Sequence, residues 1–360
     1  MNTRRWMLLT GAALFGPPLS KLANQKAGAM ASLEVTAVHE PLPSLSIVIP
    51  ARNESRNLKR LLPSLQSGQY PGPLEIIVID DQSQDDTAAV AESHGANVLK
   101  LNHLPSGWLG KPYACHRGAA LASGRWLLFT DADTIHSPHG PASAVRYAVT
   151  QGLDGLSAFL NQEMTSLWER LALSVAFAGL FASLQASTPL MNGQYILLNR
   201  HVYESSGGFA AVAGEKVEDV ALAHHLQAGA YRVPCLWAAD AATVRMYEDA
   251  RSLWYGLTRL GAGTLPWSGR HSLLSIVYIT AISVPLLAAV GWLRGRLPRW
   301  WLGLSWSLSA LSYSLWFKRF GRARWAPLAP LGGLMVMAAA LVGLVAGLFG
   351  RRIRWKGRLV

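Results

Sequence analysis

Between residues 43 and 270, short apolar runs alternate with stretches that repeat at helical spacing. Residues 45–49 (Leu-Ser-Ile-Val-Ile) predict a buried strand that ends at Pro50. Leu58, Leu61, Leu62 and Leu65 share one helical face and predict a helix over 51–66. Residues 75–79 predict a second strand, running out into Asp80-Asp81, and 87–94 a helix stopped by Gly95. A third strand is expected over 96–101, a helix over 114–122 with Gly124 beyond it, and a fourth strand over 125–130 that ends at Asp131-Ala132-Asp133. Strands alternating with helices predict an α/β domain with a mostly parallel sheet. Ligands of such sheets bind beyond the carboxyl ends of the strands. Asp80, Asp81, Asp131 and Asp133 are all expected there.

Beyond residue 270 the pattern changes. Residues 273–293, 300–317 and 326–350 are three runs without a charged side chain, and about 20 apolar residues are needed to cross a bilayer as a helix. Trp292, Trp300, Trp301, Trp316, Trp325 and Trp355 stand at or near the ends of these runs, where amphipathic rings favour the headgroup level. A C-terminal bundle of about three transmembrane helices follows, with the 300–317 run, short and serine-rich, the weakest of them. Residues 171–190 form a further apolar, serine-spotted stretch, expected to lie as a helix on the bilayer surface. At the amino end, Arg4-Arg5 followed by a short apolar stretch and Pro17-Pro18 fits an interfacial anchor or a leader. The expected division is 1–42 leader or anchor, 43–270 α/β domain, and 271–360 membrane region with a basic tail.

Composition sharpens this picture. Only 15% of the 360 residues are charged, against roughly 25% in an average soluble domain. The net charge of +12 sits entirely in residues 271–360, which hold 12 Lys and Arg and no Asp or Glu, so the rest of the chain is neutral. Basic clusters broken up by long apolar runs are the pattern of membrane loops, and nucleic acid is not an expected partner. Cys115 and Cys235 lie far apart and in no metal-ligand spacing.

Three acidic groups carry the candidate chemistry. Asp131 and Asp133, two residues apart at a strand end, are hard oxygen ligands suited to Mg2+ or Mn2+ bridging a diphosphate. Asp80 and Asp81 at another strand exit offer acceptors to a base or ribose, while Asp85 and Asp86 suit a helix N-terminus. Glu218-Asp219 opens a helix expected over 220–227. The pair fits either an N-terminal cap or a general base, with Asp219 the better candidate for the base.

Taken together, Ile47–Glu54 (IVIPARNE), Val78–Thr87 (VIDDQSQDDT), Asp131-Ala132-Asp133 and Glu218-Asp219 resemble, in order and spacing, the family 2 glycosyltransferases over about residues 44–260. The segments 107–115 (GWLGKPYAC), Asn192-Gly193-Gln194-Tyr195, Gly207-Gly208-Phe209 and the tail Trp355-Lys356-Gly357-Arg358 are similar to the membrane-bound branch with hopanoid-associated and carotenoid (diaponeurosporenoate-type) enzymes. The resemblance implies a GT-A (Rossmann-like) fold, a nucleotide-sugar donor, usually UDP-linked, and Mg2+ or Mn2+. By position it implies that Pro50, Ala51 and Glu54 line the nucleoside pocket and that Asp81 reads the uracil. Lys111 would then approach the ribose or phosphates, Asp131 the donor, Asp133 (with Asp131) the metal, and Asp219 would be the base, beside Glu218. Asn192, Gly193, Gln194 and Trp254 are the acceptor-side candidates. The Q-x-x-R-W of processive polysaccharide synthases is missing: Arg251-Ser252-Leu253-Trp254 is followed only later by Arg259.

The leading expectation is therefore a membrane-attached, inverting transferase that moves one sugar to an apolar lipid, such as a carotenoid or hopanoid. It would be multi-pass, with its catalytic domain on the cytoplasmic side. A polysaccharide synthase and a non-catalytic membrane transporter or scaffold with a degenerate transferase domain are the alternatives. Apolar runs without an ionisable side chain speak against ion-coupled transport.

Overall fold

The computed structural model describes residues 2–11, 14, 16–183, 188–247, 249–263, 283–348, 354–355 and 358–359. The chain forms two compact units. One comprises Met30–Glu163 and Pro189–Met246; the other comprises Met1–Ala29, Met164–Thr188 and Tyr247–Val360.

The first unit is built on a seven-stranded sheet in the order β3-β2-β1-β4-β8-β6-β9. These strands are β1 (Leu45–Ala51), β2 (Leu74–Asp80), β3 (Asn97–Lys100), β4 (Trp126–Thr130), β6 (Gly155–Phe159), β8 (Tyr195–Asn199) and β9 (Cys235–Trp237). β1 lies between β2 and β4, parallel to both, with Ile47 opposite Ile76 on one side and Leu128 on the other. Ile47, Val48 and Ile49 are fully buried, as a central strand covered on both faces requires. Successive side chains of β1 point to opposite faces. Ile47 and Ile49 pack with Leu58, Leu61 and Leu62 of α1 (Ser55–Gln66), while Val48 packs on the other face with Ala114, Cys115 and Ala119 of α3 (Gly110–Leu121). Between them in sequence comes the short α2 (Thr87–Ser93). Leu33, Val38 and Leu42 also enter the α1-side core.

One strand runs against the others of this mostly parallel sheet. β8 runs antiparallel to both neighbours, with Thr130 opposite Tyr195 and Ser157 opposite Ile196. Because it runs the other way, its entry turn, residues 192–194, sits at the edge where the parallel strands end. A small sheet, β5-β10-β7 (Thr134–His136, Ala242–Val244, Asn161–Gln162), braces the residues just after Asp133. The remaining helices of this unit are α4 (Gly140–Thr150), α5 (Arg200–Ser206) and α6 (Glu218–Ala228).

The second unit is helical: Thr3–Thr10, Gly16–Gly28, Leu167–Ser183, Ala250–Gly263, Ser283–Leu293, Arg299–Arg319 and Ala329–Leu348. Among the described residues, one helix, Ala323–Ala346, is long and apolar enough to cross a membrane, with a mean hydropathy of 2.2. The expectation of about three spans is therefore not reproduced. Residues 273–282 of the first run lie outside the described residues, and what remains, Ser283–Leu293, is short. The second run falls within Arg299–Arg319, where Ser305, Ser309 and Ser312 are buried against the unit's interior and lower its hydropathy. The stretch expected to lie on the bilayer surface is in large part the helix Leu167–Ser183. It buries Leu171, Ala172, Val175, Ala178 and Phe181, with Phe181 stacked on Trp316 at 5.2 Å, so it is a core helix of this unit.

Candidate active site

The carboxyl ends of β1 and β2 are laced together by their loops. Asn53 and Gln82 both adopt left-handed backbone conformations, φ 53° and 58°, which turns each chain sharply out of its strand. The Asn53 N–H donates to Ser83 Oγ at 2.9 Å, and the Gln84 N–H donates to Asn53 Oδ1 at 2.7 Å. Arg52, which sequence reasoning passed over, donates from Nη1 to the Asp81 carbonyl at 2.6 Å. The Glu54 N–H donates to Thr87 Oγ1 at 2.8 Å, and the Ala51 carbonyl accepts from the Asp81 N–H at 2.8 Å. Pro50, Ala51, Glu54 and Asp81 thus stand on one rigid pair of strand ends, with Glu54 and Asp81 buried. Asp85, rather than Asp86, caps α2, accepting from the Thr87 N–H at 3.1 Å.

Beside this rim, one ammonium gathers groups from three other places in the sequence. Lys111 lies in the first turn of α3, a helix that starts at Gly110, earlier than the 114–122 expected. Its Nζ is 2.7 Å from Asp131 Oδ1, at the end of β4, and 3.1 Å from Glu218 Oε1, at the start of α6. It also donates to the Gly193 carbonyl at 3.2 Å. Gly193 in turn donates its N–H to Asp219 Oδ2 at 2.9 Å. A methyl group at 193 would stand 3.1 Å from both Asp219 Oδ2 and Lys111 Nζ and would press on both side-chain ends. Pro50, Lys111, Cys115, Asp131, Gly193 and Glu218 line a tightly closed recess here.

Burial works against the Lys111 charge, but Asp131 and Glu218 outweigh it and hold the ammonium well above its ordinary pKa. Asp219 moves the other way for a carboxylate: burial first, and then the neighbouring Glu218, push it up to about 6. It keeps two backbone donors, Gly193 N–H and Val220 N–H, the second at 2.9 Å. Asp219 is therefore at once a helix-terminal acceptor and a carboxylate of raised pKa, so the cap and base readings do not compete. Asp133 is fixed through its backbone, its carbonyl accepting from the Arg245 N–H at 3.1 Å. Among the described residues no three His, Cys, Asp or Glu side chains are grouped to enclose a metal. The side chains of Asn192 and Gln194 brace the turn: Asn192 Nδ2 donates to the Ala158 carbonyl at 3.0 Å and to Gln194 Oε1 at 3.1 Å. Trp254 lies on the helix Ala250–Gly263 of the other unit.

The ion-pair network predicts a stability effect. Lys111→Met leaves Asp131 and Glu218 without their shared cation. The Lys111 side chain is 31% exposed, so the loss is smaller than for a fully buried pair, about 1–3 kcal/mol. Adding Glu218→Gln should restore part of it. A double-mutant cycle by urea unfolding that shows additive losses contradicts the network.

A mostly parallel sheet with one antiparallel strand inside it, and acids gathered at its carboxyl edge, defines an α/β domain with a GT-A-like fold. The mannosyltransferase PcManGT from Pyrobaculum calidifontis, solved in complex with GDP-Man and Mn2+, shares the fold at a TM-score of 0.62 and 16% identity, covering 97% of this chain and 99% of that one. Residues 46–205 match the model described as Glycosyl transferase family 2 and form a domain of that family. The chain is 30% identical over 220 residues to 4,4'-diaponeurosporenoate glycosyltransferase of Staphylococcus haemolyticus (strain JCSC1435), covering 58% of each chain. It is 29% identical over 234 residues to the protein of that name from Staphylococcus aureus (strain MRSA252), covering 61% of this chain and 62% of that one. The chain thus spans about three fifths of the length of these curated relatives.

Proposed function

We propose that the protein is a membrane-attached, non-processive glycosyltransferase. It moves one sugar, with inversion, from a UDP-linked donor to a hydroxyl or carboxyl group of an apolar lipid such as a carotenoid or hopanoid. The convergence of Asp131, Glu218 and the Gly193–Asp219 turn on Lys111 carries this reading, because it joins a donor-side strand end to a base-side helix end. The relatives' name, diaponeurosporenoate, denotes a polyene carboxylate and supports a carotenoid-type acceptor. The helix Ala323–Ala346 supports membrane attachment.

In this reading Pro50, Ala51, Glu54 and Asp81 hold the nucleoside against the rigid β1–β2 rim. Asp131 and Asp133 supply hard oxygen ligands of the kind that Mg2+ or Mn2+ takes from one or two carboxylates, leaving further positions for substrate phosphates. The donor set therefore fits a divalent cation, and the Mn2+ of the mannosyltransferase structure is in keeping with it. When bound, such an ion supplies Lewis-acid stabilisation of the departing diphosphate. Lys111 balances the carboxylates at the junction, and Asp219 accepts the proton of an attacking hydroxyl. The catalytic domain would work on the cytoplasmic side, where nucleotide sugars are made.

The test is to incubate the detergent-purified protein with Mn2+, UDP-glucose or GDP-mannose, and a polyene carboxylic acid or a polyene alcohol. A product one hexose heavier, with the opposite anomeric configuration by NMR, is expected with the UDP donor. A ladder of added hexoses would identify a polysaccharide synthase instead, and free sugar alone would remove the lipid acceptor from the proposal.

A further inference from the structure

The helical unit carries a cluster of cations that the sugar-transfer reading leaves unused. The last turn of Arg299–Arg319 carries Lys318 and Arg319, the segment after it carries Arg322 and Arg324, and no Asp or Glu occurs anywhere in residues 250–360. The Arg324 guanidinium lies over the Trp325 ring, 5.3 Å from its centroid, and Arg170 lies 5.8 Å from the same ring. Arg170 is held in place by the start of its own helix, donating from Nε to the Met164 carbonyl at 3.1 Å and from Nη2 to the Thr165 carbonyl at 2.7 Å. The nearest acid in sequence, Glu169, is engaged elsewhere: its Oε2 accepts from the N–H groups of Thr165 and Ser166, at 2.9 and 2.7 Å. Two cations are thus brought to one indole. Guanidinium groups stacked on a ring still offer N–H edges that match the oxygens of a phosphate. The buried Trp325 indole N–H and Arg322 Nε have no hydrogen-bond partner among the described residues.

The surroundings indicate where the phosphate comes from. On the helices leading into and out of the turn, Leu311, Leu315 and Leu334 are exposed, at 64%, 54% and 47%. Exposed leucines along helix bodies, giving way to arginine and tryptophan at the turn, form the gradient of a bilayer boundary. We propose that Arg170, Arg324 and Trp325 form a binding site for the phosphate of an anionic phospholipid. This rests on the membrane attachment put forward above. The site fixes the depth of the helical unit in the leaflet and makes lipid charge a determinant of association.

The experiment is flotation of the full-length protein with vesicles of phosphatidylcholine alone, or with about a third phosphatidylglycerol. The wild type is expected on both, with a clear preference for the anionic vesicles. Arg170→Gln with Arg324→Gln should weaken binding to anionic vesicles roughly thirty-fold and leave binding to phosphatidylcholine unchanged. Arg294→Gln with Arg296→Gln, exposed arginines of another turn, should have little effect. An equal loss in both double variants overturns the site, because total charge would then suffice. So does displacement by inorganic phosphate at the lipid's own concentration. Should the first double variant not fold, Arg324→Gln alone, at an exposed position, must give about a five-fold loss, and an unchanged preference overturns the site. Absence of the wild type from both kinds of vesicle would refute membrane attachment itself, whereas equal affinity for both refutes only this site.

Discussion

Asp219→Asn is expected to lower transfer to a hydroxyl acceptor about 10²- to 10⁴-fold, the usual weight of a positioned general base. The amide keeps an oxygen for one of the two backbone N–H donors at Gly193 and Val220, so the turn and the fold should survive, and binding of nucleoside diphosphate should change little. The raised pKa gives the effect a pH signature. A base with a pKa of about 6 is about nine-tenths protonated at pH 5 and about nine-tenths ionised at pH 7. Turnover in the wild type should therefore rise from pH 5 to 7 and level off above. In Asp219→Asn the residual rate should lose that rising limb. The acceptor's chemistry separates two roles. A carboxylic acid acceptor is already ionised at pH 7 and has no proton to give up, so its transfer should suffer far less from the substitution. Equal losses with alcohol and acid acceptors would mean that Asp219 positions the acceptor and does not take its proton.

The parts of the fold that the sequence reveals are those where burial alone dictates pattern. β1, β2 and β4 read as continuous apolar runs because both faces of a central parallel strand are covered, and α1 shows its leucines on one face for the same reason. The acids at the strand ends are legible with them. The direction of β8 is not: Tyr195–Leu198 is a buried apolar run that would look the same in either orientation, and pairing with β4 and β6 decides it. That hidden reversal brings Gly193 to Asp219. Nor does spacing show that Lys111 bridges Asp131 and Glu218. Gly110-Lys111-Pro112 reads as loop, although proline is at ease in the first turn of a helix. In the helical unit apolar length alone does not tell which face meets protein: Arg299–Arg319 turns Ser305, Ser309 and Ser312 inward and leaves Leu311 and Leu315 exposed.

Asp133→Ala is expected to abolish most transfer. The carboxylate is proposed to hold the cation that steadies the departing diphosphate, a contribution of several kcal/mol, and every 1.4 kcal/mol is a factor of ten, so the loss should reach about 10³-fold. The backbone carbonyl that ties Asp133 to the small sheet is retained by alanine. Asp131→Ala makes the contrast. Its carboxylate is the 2.7 Å partner of Lys111, so its removal should cost both transfer and stability. Calorimetric titration of Mn2+ in the presence of UDP separates the two roles. Asp133→Ala should weaken Mn2+ binding, whereas Asp131→Ala should also break the ion pair to Lys111 and lower Tm. If Asp133→Ala bound Mn2+ as tightly as the wild type and still lost transfer, the residue would act on the sugar or the acceptor, and the cation would have to be held from elsewhere at the strand ends.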